Sequence, residues 1–281
     1  MNTNPGPLVE QVSVKRVNGQ DSNRVVDVVA IEEPLAIRLQ YWFKGVQRTE
    51  SLALTMRTPG HDRELAAGFL YSEGVIRSPR EIVQIRQLGE DVDVSNELLV
   101  EVSSQVDVDM WRMSRSTFVS SSCGVCGKRA LDALQDHVPS SPPDRFLVSA
   151  ASIHQLPRTL TAHQEGFAQT GGLHAAALVD AEGEVSAVFE DIGRHNALDK
   201  LIGSQLLADQ LPLARKILFL SSRSSFELVG KAVTAGAPVL ATVGSPSSLA
   251  IETARRYGLT LIGFVRNDRF NVYSGEWRLN S

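Results

Sequence analysis

Apolar and polar positions alternate in two different ways along this chain. Over residues 24–39 the alternation surrounds a Val-Val-Asp-Val-Val-Ala-Ile run, which predicts one strand ending at Glu32-Glu33-Pro34 and a second beyond it. Residues 52–56 and 97–102 read as further strands. Between them Pro59-Gly60-His61-Asp62 predicts a turn and cap. The helix that follows would carry Leu65, Ala66, Phe69 and Leu70 on one face and stop at Gly74.

The second half has a longer rhythm. Residues 173–179 and 185–190 read as strands joined by a hairpin turn at Asp180-Ala-Glu-Gly183, and residues 196–203 as a helix. Strands at 217–220, 239–243 and 260–265 then alternate with helices at 226–235 and 248–257. Apolar strands alternating with helices predict an α/β fold with a mostly parallel sheet. The first half is expected to be a smaller, mixed α+β domain. Pro139-Ser-Ser-Pro-Pro-Asp144 reads as a linker, preceded by a short amphipathic helix over 128–137. The expected organisation is a disordered lead-in over 1–22, an N-terminal domain over 23–120, a loop, helix and linker over 121–144, and a C-terminal domain over 145–281.

Composition narrows the function classes. With 43 % hydrophobic and 21 % charged residues the chain is of ordinary globular type. A net charge of −4 argues against a nucleic-acid coat. No run approaches the roughly 18 consecutive apolar residues of a membrane span. Met1 to Gln20 shows no basic-then-apolar export signal, so a cytoplasmic location is expected.

Three segments follow the three late strands: Ser221-Ser-Arg-Ser-Ser225, Gly244-Ser-Pro-Ser-Ser248 and Arg266-Asn-Asp-Arg269. Open parallel sheets bind ligands beyond the carboxyl ends of their strands. Two of these loops open helices, whose free N–H groups favour phosphate. Arg223, Arg266 and Arg269 would add charge-assisted contacts. Hydroxyl-rich loops also serve as plain helix caps. Three together, with arginines, point to a phosphate-bearing ligand. His195, in Gly-Arg-His-Asn, reads as a hydrogen-bonded residue capping the helix after it rather than as a proton relay. Arg194 is the better candidate for a ligand contact.

Cys123 and Cys126 are the chain's two cysteines, in Ser-Ser-Cys-Gly-Val-Cys-Gly-Lys. Half of a zinc site would need partners from His61, His137, His154, His163, His174 and His195, and none of these has paired spacing, so no metal is expected. A zinc deaminase signature is also missing, since Ala175 and Ala176 follow His174 and no proline precedes Cys123. A thioredoxin-like pair would gain from a helix N-terminus and from Lys128 or Arg129, which favour thiolate. The serine-rich approach over 114–122 is unlike a buried strand, however. A sulfur relay needs a nucleophilic, exposed and mobile thiolate, with Cys123 as carrier and Cys126 assisting release. The residues themselves leave these three chemistries open.

The motifs taken together resemble those of the formate dehydrogenase accessory sulfurtransferases, the FdhD family. Beside Ser-Ser-Cys123-Gly-Val-Cys126-Gly stand Glu-Glu-Pro-Leu (32–35), Met-Arg-Thr-Pro-Gly (56–60), Glu-Leu-Ala-Ala-Gly-Phe-Leu (64–70) and Ser-Glu-Gly (72–74). Further on come Thr-Gly-Gly-Leu-His (170–174), Glu-Asp-Ile-Gly-Arg-His-Asn-Ala-Leu-Asp-Lys (190–200) and Gly-Phe-Val-Arg-Asn-Asp-Arg-Phe-Asn-Val-Tyr (263–273). The resemblance implies a cytidine deaminase-like core and a homodimer. It implies a carrier that takes sulfur from a cysteine desulfurase as a persulfide on Cys123, with Cys126 as the second loop cysteine. The acceptor would be the Mo-bis(molybdopterin guanine dinucleotide) cofactor before its insertion into formate dehydrogenase. Phe264, Val265, Arg266, Asn267, Asp268 and Arg269 would bind that cofactor or a GDP-like nucleotide. The alternatives are a cofactor-holding chaperone without covalent transfer and a thiol–disulfide oxidoreductase.

Overall fold

A computed structural model describes residues 8–89, 96–108 and 146–280. The Cys123/Cys126 loop, the predicted helix over 128–137 and the linker over 139–144 lie outside the described residues.

The described chain opens with a long hairpin, β1 (Val9–Asn18) and β2 (Asp21–Ala30), paired antiparallel in unbroken register. Residues 9–18 are therefore a strand and not the disordered lead-in expected over 1–22. Its polar composition hid it: Val9, Val12 and Val14 are half-buried between exposed polar neighbours, and the pairing partner supplies the order. A four-stranded sheet follows in the order β4-β3-β6-β5, from β3 (Glu33–Phe43), β4 (Val46–Arg57), β5 (Ile82–Leu88) and β6 (Glu97–Val102). In β3 the period of two is explicit, with Leu35, Ile37, Leu39 and Tyr41 all buried on one face. Helix α1 (Asp62–Ser72) starts after His61, which takes a left-handed backbone.

The second sheet has six strands in the order β13-β12-β11-β10-β8-β9. These are β8 (His174–Val179), β9 (Val185–Asp191), β10 (Ile217–Leu220), β11 (Val239–Thr242), β12 (Thr260–Gly263) and β13 (Asn271–Ser274). The pairs β10–β11 and β11–β12 are parallel, whereas β8–β9, β8–β10 and β12–β13 are antiparallel. The expectation of a mostly parallel sheet is corrected accordingly: three parallel strands form the centre of a mixed sheet. Hairpin closure of β8 on β9, and the return of β13 beside β12, reverse the outer strands. A short parallel pair, β7 (Val148–Ser149) with β14 (Leu279–Asn280), joins distant parts of the chain.

Helices cover both faces of the central strands, which are buried throughout. On one side lie α4 (Arg194–Leu207), α5 (Phe226–Thr234) and α6 (Ser248–Arg256). Leu218, Leu220, Leu240 and Leu261 face that side. The same cluster includes Leu35, Ile37, Leu65 and Leu70, so the four-stranded sheet and the six-stranded sheet share one core. The opposite face, with Ile217, Phe219, Val239 and Ala241, packs on Ile153, Leu156 and Leu160 of α2 (Ala150–Thr161). A short α3 (Glu165–Thr170) precedes β8.

Helices α1 and α4 meet backbone to backbone. A Cβ on Gly68 would collide with the Asp199 carbonyl, and one on Gly203 with the Glu64 carbonyl. Glycine at both positions is what allows this approach.

Candidate functional site

The charged residues of the motifs divide between a buried seam and an open strand edge. At the seam, the Arg57 guanidinium donates from Nε and Nη2 to the two Asp62 oxygens, each at 2.9 Å, and reaches Glu33 at 3.3 Å. Lys200 lies 2.7 Å from Asp191 and donates to the Thr58 carbonyl at 2.8 Å. Asp191 also accepts from the backbone N–H groups of Thr58 and Gly193, and Asn196 donates to it and to the Met56 carbonyl. Lys231 donates to both oxygens of Asp199 at 2.8 and 2.9 Å, and the Ser72 hydroxyl donates to the same carboxylate. Burial opposes the charge of Lys231, but Asp199 and Glu73 hold its pKa above the ordinary lysine value. These pairs bind Met-Arg-Thr-Pro-Gly to Glu-Asp-Ile-Gly-Arg-His-Asn, segments more than 130 residues apart in the chain. Buried charges with complete partner sets of this kind hold architecture together.

At the carboxyl ends of β10, β11 and β12 the three serine- and arginine-bearing loops come together. Gly244 N–H donates to the Ser222 carbonyl at 3.0 Å, Ser224 N–H to the Ser245 carbonyl at 3.2 Å, and Phe264 N–H to the Gly244 carbonyl at 3.0 Å. A Cβ on Gly244 would strike Arg223, so glycine lets two of the loops touch. Ser225 and Ser247 cap α5 and α6, accepting from the N–H groups of Leu228 and Ala250. Those two serines thus serve as helix caps.

The stretch 264–269 divides within itself. Val265 is fully buried in the core. Arg266 donates from one Nη to the carbonyls of Val243 and Val265 at 2.8 Å, and its backbone N–H closes a turn onto the Arg269 carbonyl. Asn267, Asp268 and Arg269 are exposed at the tip. Phe264 holds a left-handed backbone, φ 55°, and the residue is 41 % exposed. A bulky residue in that conformation stores strain, and such strain is concentrated at functional sites.

Beside this edge stands a cluster to which the sequence assigned less. His174 begins β8 opposite Asp191, and the next residue, Ala175, exchanges hydrogen bonds with Ser221. Arg194 and His195 open α4 directly after β9. His195 is not a hydrogen-bonded cap, contrary to expectation. Gly193 occupies the cap position, and the buried Nε2 of His195 has no hydrogen-bond partner. Burial, Lys231 and Arg194 depress the His195 pKa to about 4, against the pull of Glu227. His174 is lowered as well, by burial and then by Arg194. Burial pushes Glu227 up, but the Ser225 hydroxyl, its own backbone N–H, His195 and Arg194 together hold it below its usual range. No local pattern marks this environment, because the Lys231 and Glu227 that shape it come from another helix.

Glu190, in the same motif, accepts from the N–H groups of Gly166 and Phe167 at 2.8 Å and so anchors the start of α3. Among the described residues no cluster of His, Asp and Glu is arranged to hold a metal ion, and no helix is long and apolar enough to cross a bilayer.

Comparison with known proteins agrees with the motif resemblance. A family model described as the FdhD/NarQ family matches residues 30–280. The sulfur carrier protein FdhD of Streptomyces coelicolor is 44 % identical over 282 residues, covering 98 % of this chain and 96 % of its own. That of Saccharolobus solfataricus is 38 % identical over 274 residues, covering 98 % and 99 %. A crystal structure from Desulfotalea psychrophila, of a protein assigned as a formate dehydrogenase accessory protein, matches the fold with a TM-score of 0.74 at 24 % identity. That match covers 98 % of this chain and 100 % of the other. With a family model spanning nearly its whole length and relatives this similar, the chain belongs to the FdhD/NarQ family.

Proposed function

We propose that this chain is a sulfur carrier for the maturation of formate dehydrogenase. In this reading it moves sulfur from a cysteine desulfurase to the Mo-bis(molybdopterin guanine dinucleotide) cofactor before that cofactor enters the dehydrogenase. The observation that carries the proposal is the near full-length identity to relatives named sulfur carrier protein FdhD. The strand edge supports it independently. Exposed Arg269 and Asn267 suit phosphate oxygens, and the exposed Phe264 ring suits a purine face. The cofactor is cargo here, and the protein acts in the cytoplasm as a homodimer.

The sulfur chemistry belongs to Cys123 and Cys126. The Cys123 thiolate attacks the outer sulfur of a persulfide on the desulfurase. That S–S bond breaks, and the desulfurase cysteine leaves as thiolate. For release, the Cys126 thiolate attacks the inner sulfur of the Cys123 persulfide. A Cys123–Cys126 disulfide forms, and the outer sulfur leaves as hydrosulfide for the molybdenum centre. A cellular dithiol then reduces the disulfide.

Incubation with a desulfurase and cysteine, followed by mass spectrometry of the intact protein, tests the first step. A one-sulfur adduct that disappears in Cys123→Ala is expected. Absence of the adduct on the native chain would remove the persulfide route. If GDP still binds Cys123→Ala while formate dehydrogenase stays inactive, holding and carrying are separate tasks. Unchanged GDP affinity in Arg269→Ala would remove the loop at 264–269 from the binding site.

A further inference from the structure

The helix that supplies Asp199 and Lys200 to the seam begins with a group of basic side chains that the seam does not use. Arg194 stands at its first position, half-buried. Among the described residues its guanidinium makes no hydrogen bond and no ion pair within 4.0 Å, and it acts on the carboxylate of Glu227 only at longer range. His174 and His195 flank it from β8 and α4. The Nε2 of His195 is buried and unpartnered. A half-buried guanidinium without a bonded carboxylate and a buried imidazole nitrogen without a bond are both unfavourable in a finished core. The same arrangement suits a site whose missing partner comes from outside.

We propose that Arg194, with His174 and His195, forms a phosphate-class anion subsite beside the Ser221–Ser225 loop, separate from residues 264–269. The inference rests on the nucleotide-binding reading of the strand edge and extends it to a second wall. Arg194 presents its planar donors to two oxygens of one phosphate, a geometry that a lone ammonium does not match. The two imidazoles add polar walls without adding fixed charge. Ser221 joins the subsite to the loops, since its hydroxyl accepts from Ala175 N–H at 2.9 Å and its own N–H donates to the Ala175 carbonyl at 3.0 Å.

The charges around the imidazoles define a readout. His195 faces Lys231 and Glu227 from α5, Arg194 from its own helix and His174 from β8, while His174 faces Arg194 and Asp191. Burial first, and the neighbouring cations second, make both imidazoles resist protonation. An arriving phosphate anion supplies the missing negative charge and must raise both titration midpoints, by about 1 unit.

Histidine NMR titration of the full chain, with pyrophosphate, GDP or guanosine added, tests this. Pyrophosphate and GDP are expected to move the His174 and His195 midpoints upward, and guanosine to leave them unchanged. Arg194→Gln should abolish the ligand-induced increment and weaken GDP binding about tenfold, the loss of one charge-assisted contact. Arg194→Lys should restore part of it. If GDP binds the native chain while both midpoints stay fixed and Arg194→Gln keeps full affinity, the subsite is wrong and the loop at 264–269 stands. If neither GDP nor pyrophosphate binds the native chain, the nucleotide reading of the whole edge falls with it. Equal midpoint shifts with guanosine would overturn the phosphate assignment and point to the base or sugar.

Discussion

The seam and the strand-edge cluster both draw residues from helix α4, yet they treat charge in opposite ways. Along the seam Arg57, Lys200 and Lys231 each meet a carboxylate at 2.7–2.9 Å. At the edge Arg194 has no such partner among the described residues, His195 holds an unbonded buried nitrogen, and Phe264 bears a strained backbone. Burying a charge is tolerable when its partners are built in, and the seam is built that way. Groups left incomplete at the edge cost stability, which is expected of positions kept for an outside molecule.

The most severe way to break this contrast is to open the seam. Lys200→Met leaves Asp191 buried without its cation, and should destabilise the chain by about 3–5 kcal/mol. Urea unfolding followed by tryptophan fluorescence measures it. Replacing Asp191 by Leu in the same chain should recover part of the loss, because the uncompensated charge goes with it. A single variant as stable as the native chain would show that the pair is dispensable.

Acid addresses the edge with a somewhat smaller effect. In the folded chain His195 stays neutral down to about pH 4, whereas in the unfolded chain it protonates near pH 6.5. Above pH 6.5 neither state binds the proton and His195 adds no pH dependence. As the pH falls below 6.5 the unfolded state takes up a proton that the folded state refuses. Stability is lost on acidification, reaching about 3 kcal/mol at pH 4. His174 is displaced in the same direction and adds to the slope. Urea midpoints collected from pH 7.5 to 4.5 should fall less steeply in His195→Gln. An identical slope in that variant would show that another group governs acid sensitivity.

The smallest expected change sharpens the contrast best. Phe264→Gly removes the penalty of a left-handed aromatic residue and should raise stability by about 1 kcal/mol or less, after the entropy of glycine is counted. The same change should weaken GDP binding. Thermal unfolding and calorimetric titration read the two effects separately. A destabilised variant would mean that packing of the ring outweighs the backbone strain.

Local patterns foretold much of the architecture. The run β10–α5–β11–α6–β12 appears in the sequence almost residue for residue, because each strand is an apolar run and each helix opens on a capping serine. Strand β6 falls on the predicted bounds. The hairpin strand β1 and the reversal of β13 depend on partners elsewhere in the chain, and no local periodicity reveals them. Helix α2 was obscured by Pro157 in its interior, where the tertiary contacts of Ile153, Leu156 and Leu160 override the proline signal. The loops over 221–225, 244–248 and 264–269 were legible as candidates from composition. Their mutual hydrogen bonds were not, nor was the division of labour that ties the Arg266 guanidinium to the Val243 and Val265 carbonyls and leaves Arg269 at the exposed tip.

By itself the sequence determined the family, the spacing of the cysteine pair Cys123 and Cys126, and the order of strands and helices through the second half. These are properties of residue type and short spacing, which the chain carries before it folds. Tertiary structure decided which charges are complete and which are left open. Lys200 and His195 lie five residues apart in one motif, and nothing local distinguishes a buried ion pair from an unpartnered imidazole. The difference comes from Asp191 on a neighbouring strand and Lys231 on a neighbouring helix. Electrostatic environment is set by distance in space, and only the fold sets those distances.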